Sequence, residues 1–524
     1  MKKLTQKTIM MKKLFNIAFM SILLITVVSC NDDEFLEQQS PDQLNSDTYW
    51  RNVEDAQTGL TAAYSELEAR SNFWDGWQEG RSVVEYYRSD FSLPGPDASN
   101  YAHWMSIFNY NYTNGHIFLD VLWSTNYKGL NFSNQVITKV GEMTEDQITD
   151  EEKRQIIGEA TFLRGYYHFK LLTLYEQIIL RTEIISEETL DKPLASRGEA
   201  WEVILADFQQ AAEMLSIVGA TEPGRATKGA AYAYLGKAYM YKAGDPSSAD
   251  GDDFGNAVNA FQKIVDGEAG SYDLEPDYLS LFNGENENNQ ESVFELQFKT
   301  GDATSWNATR LHAFIGDWSI GGWGGIESNM ALADEMKQEG MVASNGLYDN
   351  RLYGSLYFRD PFYNDTSTNQ MQGSTWDVLM LNQYGSTYDD HVYYRKWLPN
   401  YVSNNSYIGL NVVLMRYADV LLMYAEALNE TGNTSLAINL INQVRNTHGL
   451  MPPLTITSQS DVKNQIMHER TMELTLESVR FFDLRRWGKL DEAMQAAGRS
   501  NFNSSTHAYL QIPLSEIIAN SEIN

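Results

Sequence analysis

Apolar side chains recur at helical spacing along most of the chain. Over 151–177, Ile156, Phe162, Tyr166 and Leu171 fall on one face, which predicts a long amphipathic helix. The same spacing predicts six further helices, over 199–215, 226–241, 254–265, 412–428, 436–448 and 462–486. The pattern therefore predicts a mainly α fold.

Two of the predicted helix pairs carry small residues at the spacing of a tetratricopeptide repeat. The first pair matches the repeat at five positions, which are Leu235, Gly236, Tyr239, Ala257 and Phe261. The loop between its helices, 244–255, is longer than the repeat normally allows. In the second pair, Ala425 and Ala437 have the spacing of the two residues where paired helices touch. Small residues let helices pack closely, so we expect a helical-repeat scaffold.

Two regions lack this periodicity and are predicted to be long, loop-rich insertions on the scaffold. Residues 72–132 are aromatic and loop-like, and residues 268–411 are rich in Gly, Asn, Ser and Tyr. Only the run 292–298 in the second region resembles a strand. Because binding residues concentrate on loops held by a rigid scaffold, we expect function to lie in these insertions.

The N-terminus has the pattern of a bacterial lipoprotein signal. The first 29 residues hold five lysines and no acid, and the apolar run 14–28 is shorter than a bilayer span. Translation can start at Met1 or at Met11. The run ends in Val-Val-Ser before Cys30, which is typical of cleavage and acylation at that cysteine; the alternative is a buried free cysteine. The acidic residues 31–34 would then form a solvated tether.

Charge narrows the class of partner. The chain has 70 acidic and 39 basic residues, a net charge of −31, and removal of the leader with its five lysines brings this to −36. Such a balance argues against binding nucleic acid or anionic lipid headgroups. With Cys30 as its single cysteine, the chain has no intramolecular disulfide and no thiolate metal cluster.

Motifs for metal or catalytic chemistry are incomplete. His468 precedes a glutamate but lacks the second histidine of a zinc metalloprotease helix. The acidic turn 250–253 lacks the ligand rhythm of a calcium loop and is interpreted as a solvated turn. Three glutamates at helical spacing, Glu469, Glu473 and Glu477, are predicted to pair with Arg470 and Arg480. No metal or cofactor is expected.

Several blocks of the chain resemble the SusD/RagB family, the surface glycan-binding lipoproteins of Bacteroidetes. They follow the family's order from 49–64 through 159–167, 224–230, 291–298 and 416–427 to 509–513. The most specific is Arg480-Phe-Phe-Asp-Leu-Arg-Arg-Trp-Gly488, preceded by Glu469-Arg470. One departure is clear, because residues 175–180 replace the family's usual Tyr-Gly turn and proline.

The resemblance implies a SusD-like fold, a tetratricopeptide-like scaffold with loop-rich insertions, and no catalysis. It implies a signal peptide over 1–29 and a glycan-binding domain over 30–524, with helical repeats at about 151–267 and 412–486. It also implies a SusC-like TonB-dependent transporter as partner and a lipid anchor at Cys30 that holds the protein on the outer membrane, facing the cell exterior.

A glycan site needs aromatic faces for sugar C–H groups and polar side chains for hydroxyls. Polar or glycine-rich loops supply six candidates, which are Trp74, Asp75, Trp77, Trp306, Trp318 and Trp323. A tryptophan is more often part of the core, and Trp201 and Trp487, which lie in helical patterns, are predicted to be core residues.

Two other functions fit the composition. A glycoside hydrolase needs two carboxylates about 5 Å or roughly 6.5–9.5 Å apart, and 70 acids leave that open. A protein scaffold within the transporter complex, without its own glycan site, is the other. The net charge favours a neutral glycan, because an acidic protein repels an anionic polymer at low salt, unless a local basic patch reverses that balance.

Overall fold

A computed structural model describes residues 49–68, 77–299, 308–365, 369–399 and 407–523. Residues Met1–Arg51 form one unit, of which only 49–51 are described. Residues Asn52–Asn524 form a second, compact unit, and all that follows concerns this unit.

The described part of this unit contains twenty α-helices. They are α1 (Val53–Glu68), α2 (Trp77–Tyr87), α3 (Ala102–Phe108), α4 (Ile117–Glu142), α5 (Asp150–Leu174), α6 (Arg197–Met214), α7 (Lys228–Ala243), α8 (Asp253–Val265), α9 (Leu311–Ile315), α10 (Met330–Lys337), α11 (Asn350–Ser355), α12 (Pro361–Asn364), α13 (Trp376–Tyr384), α14 (Tyr417–Glu430), α15 (Thr434–Thr447), α16 (Gln459–Glu473), α17 (Arg480–Arg486), α18 (Leu490–Ala496), α19 (Ser504–His507) and α20 (Leu514–Ala519). The predicted mainly α fold is confirmed. None of the helices in the described ranges combines the length and apolar character that a membrane crossing requires.

Six short strands within the described ranges form two antiparallel sheets. They are β1 (Ser92–Pro94), β2 (Ser292–Leu296), β3 (Ile326–Ser328), β4 (Leu356–Phe358), β5 (Val392–Tyr394) and β6 (Val412–Arg416). The larger sheet has the order β1-β3-β5-β4, and β2 pairs with β6. In the larger sheet Ser92 lies opposite Ser328, and Leu356 lies opposite Tyr394. This sheet joins the two insertions, because β1 comes from the first and its three partners come from the second.

The long helix α5 begins at a capping box. The Thr149 hydroxyl accepts a hydrogen bond from the Glu152 amide at 3.3 Å, and the Glu152 carboxylate accepts one from the Thr149 amide at 3.1 Å. Most residues of this helix are themselves buried, among them Phe162, Leu163 and Tyr167. Helix α5 packs between α4 and α6 and is therefore the centre of the N-terminal helical layer.

The repeat positions predicted from the sequence lie at helix contacts. A Cβ atom on Gly236 of α7 would lie 2.5 Å from the ring of Phe261 on α8, so the absence of a side chain lets the helices approach. Ala425 of α14 and Ala437 of α15 are fully buried where that pair packs. The tetratricopeptide-like packing of both pairs follows from these small residues.

Two predicted helices are interrupted. The first part of 412–428 is strand β6, whose β-branched Val412 and Val413 pair with β2 before α14 begins. The prediction for 462–486 is wrong between α16 and α17, where Leu476 and Ser478 have positive φ angles of 57° and 64°. A helix cannot continue through left-handed residues, so the chain turns there. Residues 469–488, which contain this turn and the most specific part of the family resemblance, are called the signature block below.

The prediction that 72–132 is loop-like is also wrong, because helices α2 and α3 and most of α4 lie in it. The spacing of apolar residues did not predict helix α4, because its buried face includes polar residues. The Asn126 amide donates to a backbone carbonyl one turn earlier at 2.6 Å, and the Ser133 hydroxyl does the same at 2.8 Å. These bonds satisfy the buried polar groups, which interrupt the apolar stripe on which a helix prediction depends.

Ion pairs hold the signature block, but the partners differ from those predicted. Glu469 contacts Arg351 at 2.6 Å and Arg445 at 2.8 Å, and Glu477 contacts Arg416 at 2.7 Å. Glu477 lies beyond the end of α16, so it does not share a helix face with Glu469.

The arginines of the block pair elsewhere. Arg470 contacts Asp419 at 2.7 Å and Asp483 at 2.8 Å, while Arg480 contacts Asp90 at 2.8 Å. The predicted pairing of the three glutamates with Arg470 and Arg480 is therefore wrong, although every member of the set is ion-paired. The block joins α17 to α14 and to the first insertion.

Candidate functional site

A glycine-rich loop between α9 and β3 carries two of the predicted tryptophans. Gly321 and Gly324 have positive φ angles of 84° and 65°, and a Cβ atom on Gly322 would lie 1.9 Å from a backbone carbonyl oxygen. These positions accept glycine because a side chain would be strained or would clash. The glycines therefore fix the path of the loop that bears Trp318 and Trp323.

Hydrogen bonds hold this loop in place. The Trp323 amide donates to the carbonyl oxygen of Ala313 at 2.6 Å, and the Asp97 amide donates to that of Gly324 at 3.1 Å. The ring N–H of Trp318 donates to the carbonyl oxygen of Trp323. The structure thus brings Trp318 and Trp323 together, on a loop that is anchored to both insertions.

The tryptophans that the structure describes from Trp104 onward divide into buried and accessible rings. Trp318 is 40% exposed and Trp323 is half-buried. Five others are buried, which are Trp104, Trp123, Trp201, Trp376 and Trp397. The prediction that Trp201 is a core residue is confirmed. The same prediction for Trp487 is wrong, because this ring is half-buried and its N–H donates to Glu426 at 2.8 Å.

A cation lies beside the tryptophan loop. The guanidinium carbon of Arg310 is 3.9 Å from the ring centroid of Tyr407 and 5.8 Å from that of Trp323. Arginine over an aromatic ring is a favourable electrostatic arrangement. Together with Trp318, these residues combine apolar ring surface with a fork of N–H donors, the two kinds of group that a sugar requires.

Two carboxylates lie under the loop. Asp317 is 1% exposed, and it accepts hydrogen bonds from the Ser319 amide at 2.8 Å and the Tyr384 hydroxyl at 2.7 Å. Half-buried Glu327 follows on β3. Burial and the neighbouring Asp317 raise the pKa of Glu327 to about 7. Asp317 therefore supports the start of the loop from below, out of reach of a ligand on its surface.

The other predicted site residues stay predictions. Trp74, Asp75 and Trp306 lie outside the described residues, as does the predicted lipidation site Cys30. Trp77 is the first residue of α2.

Sequence reasoning missed Arg310 and Tyr407. Tyr407 lies in a stretch of Asn, Ser and Tyr that is predicted to be loop-like, but the candidate aromatic residues were all tryptophans. Arg310 precedes a helix of five residues, too short to show periodicity. Their contact joins residues 97 positions apart, and no local pattern signals it.

Three buried side chains could be mistaken for a metal centre. His448 contacts Glu473 at 2.9 Å through one ring nitrogen and Glu291 at 3.1 Å through the other. Arg416, however, contacts the same two carboxylates at 2.5 Å and 2.8 Å. A guanidinium already neutralises these oxygens, so the cluster is a buried ion network and does not fit a cation.

The acidic turn is likewise neutralised from within. The Lys242 ammonium contacts Asp250 at 2.6 Å and Asp253 at 2.7 Å, and Asp253 is buried rather than solvated. The interpretation as a solvated turn is therefore wrong for Asp253. The lysine takes the place that a calcium ion would need.

A cleft of about 480 Å³ lies between α10, α16 and α18. Its charged groups are paired with one another, as His468 contacts Glu335 at 2.8 Å and Arg480 contacts Asp90 at 2.8 Å. His468 is thus engaged by carboxylates and not arranged as half of a zinc motif. We therefore take the tryptophan loop, and not this cleft, as the candidate site.

Paired helices at tetratricopeptide-like spacing, with a tryptophan-bearing loop on an insertion, define a helical-repeat protein of SusD-like architecture. Residues 34–240 match a family model described as "Starch-binding associating with outer membrane", and residues 290–523 match the model of the SusD family. The chain belongs to the SusD/RagB family.

Relatives and solved structures agree over nearly the whole length. SusD-like protein P2 of Formosa agariphila is 26% identical, over 98% of this chain and 99% of the relative. A SusD superfamily protein from Bacteroides vulgatus has a TM-score of 0.77 at 23% identity, covering 91% of this chain and 99% of its own. A laminarin binding SusD-like protein has a TM-score of 0.71 at 22% identity, covering 91% and 99%.

Proposed function

We propose that this protein is a non-catalytic glycan-binding lipoprotein of the outer membrane. In this proposal it captures oligosaccharide or polysaccharide at the cell surface and passes it to a SusC-like TonB-dependent transporter. Membership of the SusD/RagB family supports the proposal, as does the likeness to a structure described as laminarin binding.

The observation that carries the proposal is the pair Trp318 and Trp323. Most tryptophans of the described chain are buried, yet these two are accessible on a loop whose glycines and hydrogen bonds hold it rigid. The C–H face of a sugar ring packs on an aromatic face, and a rigid platform loses little entropy on binding. In the proposed site, the rings stack on sugar units while neighbouring polar groups contact hydroxyls. Trp74, Asp75, Trp77 and Trp306 remain candidates for extending the platform.

Binding without catalysis fits the burial of Asp317, one of the two acids under the loop. A glycosidase needs two carboxylates that both reach the substrate. Asp317 is buried and bonded to Tyr384 and a backbone amide, so it is not placed to act on a surface-bound glycan. We therefore expect no release of reducing sugar from any polymer the protein binds.

The test is calorimetry or affinity electrophoresis of the chain from Asn31 with neutral and anionic polysaccharides. The Trp318→Ala, Trp323→Ala double variant should bind its polymer about tenfold or more weakly, since each aromatic contact contributes about 0.5–1.5 kcal/mol. Trp487→Ala, which removes a half-buried tryptophan elsewhere, is the matched control and should bind normally. Binding that survives in a folded double variant would place the site elsewhere, and reducing-sugar release would favour a hydrolase.

Delivery and anchoring need their own experiment. Co-purification from outer membranes should recover a TonB-dependent transporter with the full chain. Replacement of the acylated residue by Cys30→Ser should release the protein from the membrane, because several acyl chains on one residue anchor firmly where one binds only marginally. Transporter recovery with no glycan binding by the isolated chain would instead favour the scaffold role.

A further inference from the structure

Arg310 differs from the other arginines of the described residues. Every other described arginine from Arg81 onward donates at least one hydrogen bond to a carboxylate or a backbone carbonyl. Arg310 makes none, and its Nε is buried without a hydrogen-bond partner. In a chain with 70 acidic residues, a half-buried guanidinium that no carboxylate of the described residues neutralises is unusual.

The surroundings of Arg310 are aromatic. Its guanidinium lies over Tyr407 and within cation–π distance of Trp323, at 3.9 Å and 5.8 Å from the two ring centroids. Aromatic contacts engage the face of a guanidinium and leave its in-plane N–H groups without acceptors. A planar pair of oxygens is the group that this fork binds best.

We propose that Arg310 binds an anionic group of the glycan, a carboxylate or a sulfate ester, while Trp323 stacks on the same sugar or its neighbour. The inference rests on the proposed function and names the substrate class of that site. A ligand oxyanion would supply the counter-charge that no carboxylate of the described ranges provides. Sugar hydroxyls can accept hydrogen bonds from the fork but leave its charge uncompensated.

This assignment reverses the expectation drawn from net charge. Repulsion from the distant acids of a −31 chain is screened over about 8 Å at physiological salt. A contact ion pair at a half-buried arginine is screened much less. Local chemistry at Arg310 therefore outweighs the overall charge in selecting the ligand.

The test compares matched polymers. Polygalacturonate is measured beside its methyl ester, and a sulfated galactan beside its desulfated form, by affinity electrophoresis or calorimetry at two salt concentrations. The protein is the chain from Asn31, as wild type and as Arg310→Gln and Arg310→Lys. Arg154→Gln, which removes an exposed arginine of α5 that donates to the backbone carbonyl of Glu213 on α6, is the control for loss of one charge. Circular dichroism confirms that each variant is folded.

We expect one charged polymer to bind at least tenfold more tightly than its neutral counterpart, and the preference to weaken with salt. Arg310→Gln should abolish that preference, and Arg310→Lys should lose most of it, because an ammonium lacks the fork. A preference for polygalacturonate over its methyl ester would identify a carboxylate as the ligand group, and a preference for the sulfated galactan over its desulfated form would identify a sulfate ester.

Equal binding of charged and neutral forms would overturn the inference, as would a preference that survives Arg310→Gln. If a neutral glycan binds and depends on Trp318 and Trp323 but not on Arg310, the proposed function stands and the anionic assignment fails. If no polymer binds the wild type, both fail.

Discussion

Glu473 is the residue whose replacement tests the buried ion network most directly. Its carboxylate contacts Arg416 at 2.8 Å, His448 at 2.9 Å and Arg351 at 3.4 Å, and all four side chains are almost fully buried. Glu473→Gln keeps the shape of the side chain but removes the charge that three cations share. Each of these cations keeps another carboxylate partner, but the buried network then holds one negative charge fewer.

The expected loss of stability follows from burial. Removing one member of a buried ion pair costs about 3–5 kcal/mol, because a charge is left uncompensated away from water. Domains have free energies of unfolding of about 5–15 kcal/mol, so the loss is a large fraction of the total. At an m-value of about 3 kcal/mol per M urea, a loss of 3 kcal/mol lowers the unfolding midpoint by about 1 M.

The assay is urea unfolding of the chain from Asn31, followed by far-ultraviolet circular dichroism and by tryptophan fluorescence. The control is Glu268→Gln, which breaks an exposed pair with Lys263 at 2.7 Å and should leave the midpoint unchanged. Equal midpoints for Glu473→Gln and Glu268→Gln would refute the reasoning. That result would mean that water or local rearrangement neutralises Arg416, His448 and Arg351 without the glutamate.

Two further predictions concern packing and pH. Gly236→Ala should lower the free energy of unfolding by about 1–2 kcal/mol, because the new Cβ would lie 2.5 Å from Phe261. Gly141→Ala, whose Cβ would have nothing within 4 Å, should raise the free energy of unfolding by about 0.4–1 kcal/mol. Thermal melts of both variants distinguish the effect of packing from that of helix propensity. Burial alone would lower the pKa of His448, but its carboxylate neighbours raise it to about 10, so its stabilisation is complete below the unfolded pKa of about 6.5 and is lost as pH rises through 10. Urea unfolding between about pH 6.5 and 8 should show stability falling, with a shallower slope in His448→Gln; an unchanged slope would contradict the raised pKa.

Helical periodicity predicted the scaffold because its information is local. The buried face of α5 and the small residues Gly236, Ala425 and Ala437 each occupy positions that a window of one or two helices reveals. A window of the same length did not predict α4, because buried Asn126 and Ser133 interrupt the apolar pattern. Their hydrogen bonds to the helix's own carbonyls can be seen only once the helix exists.

Ion partners and the candidate site depended on distant parts of the chain. Glu469 was expected to pair along its own helix, yet its partner Arg351 is 118 residues away. The loop of Trp318 and Trp323 was found from its glycines, which are a local signal. Arg310 was not found, because its importance comes from its contact with Tyr407 across the fold and from the absence of a carboxylate partner among the described residues. Neither feature can be recognised in the neighbouring sequence.

The ion network around Glu473 also bears on how the chain reaches its folded state. Its members come from α11, β6 and α16, from Glu291 just before β2 and from His448 just after α15, and they are spread over nearly two hundred residues. Each charged side chain is well solvated in the unfolded chain and becomes costly to bury unless its partners arrive with it. Partial docking of these segments is therefore unfavourable. The C-terminal half should fold in a single cooperative step that requires α16, a helix near the C-terminus that emerges late from the ribosome.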